Sequence, residues 1–207
     1  MISHFTKLGY TPIVGDSFTS DTPLFIRYKN SGLIDIMPIS ELISHTEKDA
    51  LGREYDKSEK DFYVLCRSGW VEPQYIYRHK TDKPIYRVDD GKSIVDVTED
   101  HSLYDGNGLK VKPSEVTSTT KLEYYSNEIS SSCPIEIGLD EKRIKMIARL
   151  LNTKAIDRIP MEVLNCTDSE SIGKFLEEVK DCNWNDYSKT CRAGIMFLKD
   201  RIDNGKE

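Results

Sequence analysis

Thr22-Pro23-Leu24-Phe25-Ile26-Arg27-Tyr28-Lys29-Asn30-Ser31-Gly32-Leu33-Ile34-Asp35-Ile36 sets the fold class of the first half of this chain. Leu24, Ile26 and Tyr28 recur with period two, which puts them on one face of an extended strand. Lys29-Asn30-Ser31-Gly32 has the composition of a hairpin turn, and Leu33, Ile34 and Ile36 continue on its far side. Pro38-Ile39-Ser40-Glu41-Leu42-Ile43 predicts one short helical turn behind a proline at a permissive position. Residues 44–61 are charged and irregular, and an exposed loop is expected there. Strands are expected at 62–66, 71–80, 85–88 and 93–97, separated by Arg67-Ser68-Gly69, Thr81-Asp82-Lys83-Pro84 and Asp89-Asp90-Gly91. Asp105-Gly106-Asn107-Gly108 is a further tight turn. Short strands with closely spaced turn signals predict a mainly β fold from Thr22 to about Val116.

The texture changes after Val116. Leu122, Tyr124 and Tyr125 suit one more strand, and from Gly138 the period becomes helical. Ile144, Ile147, Ala148 and Leu151 share one helix face. Ser169-Glu170-Ser171-Ile172 opens a second helix carrying Ile172, Phe175, Leu176 and Val179. Asp186 is the expected cap of a third, with Ala193, Met196, Phe197 and Leu198. The change of period places a domain boundary near residue 135, with a small α-helical region over 136–207.

Composition narrows the function classes. The chain has 207 residues, a net charge of −6 and 31% charged residues, which suits a globular protein with a real core. No apolar run approaches the ~20 residues of a membrane span, and Met1-Ile2-Ser3-His4-Phe5-Thr6-Lys7 lacks the apolar core of a secretion signal. No membrane association and an intracellular location are therefore expected. Cys66, Cys133, Cys166, Cys182 and Cys191 form no Cys-x-x-Cys pair, which argues against a disulfide scaffold and a zinc knuckle. The acidic balance offers no bulk attraction to nucleic acid.

Two short segments carry the chemistry: Asp16-Ser17-Phe18-Thr19-Ser20-Asp21-Thr22 and Val97-Thr98-Glu99-Asp100-His101-Ser102-Leu103. In this order and at this spacing they resemble the first and second splicing blocks of an intein, a domain that excises itself from a host protein. Gly69-Trp70, the run from Arg78 to Val88, Asp105-Gly106-Asn107-Gly108 and Lys112-Pro113-Ser114-Glu115-Val116 are similar to inteins of virus-type family-B DNA polymerases. Tyr10-Thr11-Pro12-Ile13-Val14-Gly15-Asp16 resembles the approach to the catalytic Tyr-Gly-Asp-Thr-Asp-Ser motif of those polymerases. The resemblance implies three parts: residues 1–16 as a host (extein) remnant, 17–135 as the splicing domain, and 136–207 as a helical appendage. It also implies the horseshoe-like β fold of the Hint family, here without its C-terminal strands.

On that resemblance Ser17 is the nucleophile and Asp16–Ser17 the scissile bond. Splicing begins with an N-to-O acyl shift, which needs an activated hydroxyl, a stabilised oxyanion and a proton for the leaving nitrogen. His101 matches the block-two histidine that supplies the proton, and histidine titrates in the right range. Thr98 matches the family threonine that hydrogen-bonds the reacting group. Asp21 and Thr22 match structural positions of the first block. His45 and His79 match no catalytic position. No metal or organic cofactor is implied. Families of this kind finish with a His-Asn pair, whereas the sequence here runs Asp203-Asn204-Gly205-Lys206-Glu207. The resemblance is to the N-terminal half of a split intein or to a truncated whole one, and the expected activity is trans-splicing with a C-terminal split-intein partner carrying the His-Asn block, which rejoins the polymerase in a phage- or virus-infected cell.

Ile159-Pro160-Met161-Glu162-Val163-Leu164-Asn165 resembles a piece of the homing endonuclease that interrupts such inteins, but the acidic-glycine helix motif that binds its metal is absent. Residues 136–207 then read either as a degenerate endonuclease remnant or as an unrelated helical bundle. As an endonuclease remnant they are expected to be dispensable for splicing. The rival functional reading is a DNA-binding or endonuclease-derived module with an inactive Hint domain.

Overall fold

The computed structural model describes residues 18–66, 69–91, 93–123, 138–179 and 184–204. The fold is mainly β, followed by a helical region. Strands β1 (Pro23–Tyr28) and β2 (Ile34–Pro38) form the hairpin expected from the alternating pattern, with Phe25 opposite Ile36 and Arg27 opposite Ile34. Gly32 closes the turn at φ 69°, a left-handed conformation that glycine adopts without steric cost. The short helical turn follows at Ile39–Leu42.

Strands β3 (Glu47–Lys48), β4 (Glu54–Asp56), β5 (Phe62–Cys66), β6 (Gly69–Val71) and β7 (Ile76–Arg78) complete two antiparallel sheets. Their orders are β2-β1-β5-β6 and β3-β4-β7. The strand expected over 71–80 is thus two strands in different sheets. Pro73 sits between them and has no N–H to give to a ladder. Residues 44–61 also depart from expectation. They hold the β3–β4 hairpin and a buried ion pair, Lys60 Nζ to Asp56 at 2.6 Å. The Asp56 carboxylate also accepts from the amides of Ser44 (2.8 Å), His45 (3.0 Å) and Ser58 (2.9 Å). Burial pushes the Asp56 carboxyl up, but Lys60, Ser58 and these amides outweigh it and hold the group far below the usual carboxylate range. Most of the segment is exposed, as expected, but a polar hub buried at Asp56 and Lys60 leaves no hydrophobic period and looks like a loop in sequence.

Strands β8 (Ile85–Asp89) and β9 (Ile94–Thr98) pair antiparallel, as do β10 (Leu103–Tyr104) and β11 (Lys110–Val111). The expected strand at Tyr124 and Tyr125, the boundary near residue 135, Cys133 and Cys182 lie outside the described residues. The remaining cysteines are free thiols: Cys166 and Cys191 are buried and Cys66 partly so.

The helical region comprises α1 (Glu141–Asn152), α2 (Met161–Leu164), α3 (Ser169–Val179) and α4 (Lys189–Asn204). Asp140 caps α1 by accepting from the Arg143 amide at 2.8 Å. Asp168 caps α3 through the Ser171 amide at 3.1 Å. The cap of α4 is Ser188, whose Oγ accepts from the Cys191 amide at 2.9 Å. Asp186 instead ends a separate 3-10 turn, Trp184–Asp186, so the expected third cap is corrected by two residues.

These helices pack directly on the first sheet. Ile34 and Ile36 of β2 belong to the same core as Ile144, Ile147, Leu151, Phe175 and Leu198, and Phe25 meets Phe197 edge-on at 5.7 Å. The opposite face, with Ile26, Leu42, Phe62, Val64 and Ile76, forms a second core. Strand β2 is an edge strand, and an edge exposes unpaired backbone groups. Asn165, fully buried, covers this one: its Oδ1 accepts from the Ile34 amide at 2.8 Å, and its Nδ2 donates to the Ile34 carbonyl at 2.7 Å.

Asn165 therefore acts as a two-pronged substitute for a neighbouring strand. Asn165→Ala strands both Ile34 groups in a dry interface, at about 1–3 kcal/mol each. The expected outcome in urea denaturation is a loss of about 2 kcal/mol or more. Asn165→Asp should lose at least as much, since a carboxylate cannot donate to the Ile34 carbonyl.

Candidate functional site

Strand β9 alternates Ile94, Asp96 and Thr98 on one face with Val95 and Val97 on the other. The chain turns immediately afterwards. The His101 amide donates to the Thr98 carbonyl at 3.0 Å, closing a four-residue turn over Glu99 and Asp100. This turn puts Thr98 and His101 side by side, and both are buried, at 2% and 7% exposure. Asp100, inside the turn, points to solvent and pairs with Lys83 at 2.5 Å. That pairing is the chief reason its carboxyl falls to about 2. The Thr98 hydroxyl lies near Asp100 without meeting hydrogen-bond geometry. It is buried with no partner of full hydrogen-bond geometry among the described residues, although its proximity helps to lower the Asp100 carboxyl.

The arm that follows Ser17 lies along β9. Phe18 bridges Val97, and the Thr19 amide donates to the Asp96 carbonyl at 3.1 Å. The Phe18 ring packs on the His101 ring, with centroids 4.8 Å apart. The arm then turns: the Thr22 amide donates to the Thr19 carbonyl at 3.1 Å, and the Thr22 and Ser20 carbonyls accept from Ile39 and Ser40. Asp16 and Ser17 lie outside the described residues. The structure therefore joins Thr98, His101 and the immediate chain neighbour of Ser17.

Three charged residues at this place were missed in the sequence. Asp96 receives a two-pronged hydrogen bond from Arg87, both contacts 2.8 Å, across the β8–β9 pair. From the other side Lys189, the first residue of α4, donates to Asp96 Oδ2 at 2.7 Å. The same ammonium reaches Thr19 Oγ1 at 3.0 Å and Asp21 Oδ1 at 2.9 Å. Burial raises the Asp21 carboxyl, but the Lys189 and Thr19 contacts outweigh it and leave the group below its ordinary value. An inward acid between Val95 and Val97 was the one available signal for Asp96. Nothing local marks Lys189. Among the described residues no three His, Cys, Asp or Glu side chains converge as a metal site would, and no helix is long and apolar enough to cross a membrane.

The Arg87 fork, ahead of the opposing effect of burial and the added Lys189 contact, holds the Asp96 carboxyl at about 2, against an ordinary 3.8. A depressed native value means stability that is complete above the unfolded value and lost as pH falls through the native one. The shift corresponds to roughly 2 kcal/mol. The expected outcome is that stability declines between about pH 4 and pH 2. Asp96→Asn, less stable at pH 7, should show a flatter decline over that window in urea denaturation.

The relatives of this chain are polymerases. It is 37% identical over 125 residues to a DNA polymerase of Acanthamoeba polyphaga mimivirus, a match covering 55% of this chain and 7% of the relative. It is 32% identical over 139 residues to a DNA polymerase of Thermococcus hydrothermalis, covering 61% and 8%. A DNA polymerase of Thermococcus sp. (strain GE8) is 31% identical over 188 residues, covering 88% and 10%. The chain thus matches a tenth or less of the length of each. No family model and no solved structure matches the chain.

Proposed function

We propose that this chain is the N-terminal splicing region of an intein carried by a family-B DNA polymerase, and that it performs the N-to-O acyl shift at Asp16–Ser17. The observation that carries the reading is the seat of the arm: Phe18, the residue after Ser17, is bridged to Val97 and packed on His101. The same short turn supplies Thr98, whose buried hydroxyl has no partner of full hydrogen-bond geometry among the described residues. Matches limited to a tenth or less of several polymerases are also what an insertion inside a polymerase produces.

In this reading Ser17 Oγ adds to the Asp16 carbonyl carbon and its proton passes to solvent, balancing the one that His101 later gives to nitrogen. The C–N bond to Ser17 then breaks, and an ester replaces the amide. His101 gives a proton to the departing nitrogen, and Thr98 donates a hydrogen bond to the oxyanion. A C-terminal segment bearing the His-Asn block completes excision and joins the polymerase halves, either as a separate partner chain or in the same polypeptide. The reaction uses no metal or organic cofactor and runs inside a virus-infected cell. The β framework around the site is the Hint horseshoe.

Hydroxylamine captures the ester and frees residues 1–16 as a hydroxamate of defined mass. Ser17→Ala should release none of this peptide, and His101→Ala should slow its release by about 10²-fold, the scale for losing a positioned acid. Thr98→Val should have a smaller effect. Release of residues 1–16 from Ser17→Ala at the parent rate overturns the assignment.

A further inference from the structure

Lys189 stands where the helical region meets the candidate site. Its side chain is 7% exposed, and a buried ammonium persists only where it is matched by charge and hydrogen bonds. All three of its acceptors belong to the β part of the molecule. Two, Thr19 and Asp21, lie on the arm that follows Ser17, and the third, Asp96, lies two residues before Thr98 on β9. One cation thus joins the arm to the strand that delivers Thr98 and His101. Asp96 is itself fixed from the opposite side by Arg87, so the cation pulls on a rigid acceptor. Arg192, one turn further along α4, pairs with Asp89 of β8 at 3.5 Å and donates to the Trp184 carbonyl at 3.0 Å. Positions i and i+3 share a helix face, so one face of α4 is committed to the β8–β9 pair.

We propose that Lys189 is a positioning residue for the Ser17 arm, locking Thr19 and Asp21 to Asp96, and that the helical region is thereby part of the splicing site. The inference rests on the splicing reading for its chemical consequence, but its geometric part does not. It departs from the expectation that residues 136–207 are dispensable, because the group that fixes the arm comes from them. The acyl shift demands a nucleophile held in near-attack geometry, and small displacements lower the rate steeply.

The test uses the full chain and two readouts. The first is hydrogen exchange of the Thr19 amide, which donates to the Asp96 carbonyl. The second is hydroxylamine release of residues 1–16. Lys189→Met keeps the stem and removes the charge. The double variant Thr19→Val/Asp21→Asn keeps the Lys189–Asp96 pair and frees only the arm. Leu151→Ala removes apolar packing from the same helical core and no charge. At equal distances below their thermal midpoints, the first two variants should raise Thr19 exchange and slow release by at least about ten-fold each, the scale of one lost hydrogen-bonded charge contact. Leu151→Ala should do neither. If Lys189→Met does not fold, the double variant decides alone. Parent-like exchange and release in the folded charge variants overturn the proposal, as does Leu151→Ala reproducing both effects. Faster Thr19 exchange in the variants of a chain whose parent releases no peptide supports the positioning role and overturns only the splicing reading.

Discussion

The arrangement of this molecule turns on one buried ammonium. Removing a lysine head group from water costs several kcal/mol unless opposite charge and hydrogen bonds replace the lost hydration. Lys189 meets that condition with two carboxylates and a hydroxyl, all within 3.0 Å. Arg87 adds the second positive charge. The cluster of Lys189, Arg87, Asp96 and Asp21 is therefore neutral as a set; its buried members, Lys189 and Asp96, depend on each other's charge, while Arg87 and Asp21 reach solvent. That mutual dependence fixes the start of α4 to the β8–β9 pair and fixes the arm between them.

The rest of α4 answers to a different force. Cys191, Ile195 and Leu198 are buried in the core that also holds Ile34 and Ile36, and Phe197 meets Phe25. The helix therefore bridges two sheets, with polar contacts at its first turns and apolar burial further on. At Gly194 the approach is so close that a Cβ would stand 2.9 Å from Ile159. A larger residue there requires the Ile159 side chain, whose terminal methyl is the nearest atom, to shift. Asn165 seals the edge of β2 in the same interface with two hydrogen bonds to Ile34. Charge, packing and edge coverage thus all tie the helices to the β region, although the sequence marks a change of texture between them.

Around Thr98 and His101 the economy of the turn matters most. Four residues take the chain from a buried threonine to a buried histidine, and of the two acids between them Asp100 points to solvent and Lys83. The imidazole is covered by Phe18, so its surroundings change with the seat of the arm. A serine hydroxyl stays protonated throughout the physiological range, unlike a thiol with an ordinary pKa of ~8.5. On the proposed splicing reading, placement must therefore supply what acidity does not. This is why a rigid seat for the arm has chemical weight.

Much of this was legible in the residues. Period two in Leu24, Ile26 and Tyr28 and the Asn30-Ser31-Gly32 turn determined the first hairpin. Helical period determined the faces of α1 and α3. Thr98 and His101 were marked by the resemblance of their segment to the second intein block, and a local turn brings together what is local in sequence. The failures share a cause. The knot around Asp56 and the break at Pro73 depend on which sheet receives each strand, and hydrophobic period does not encode that. Ser188 replaced Asp186 as a cap because both residue types suit the position and only the chain's path chooses. Lys189 lies 168 residues from Asp21 and 93 from Asp96. A lysine opening an amphipathic helix reads as solvated, and only the docking of that helix buries it. Sequence by itself determined most of the elements and, through the resemblance of its segment, the local pair Thr98 and His101. Tertiary structure alone decided that the helices share the core and the site, because burial of charge is set by what packs against it from afar.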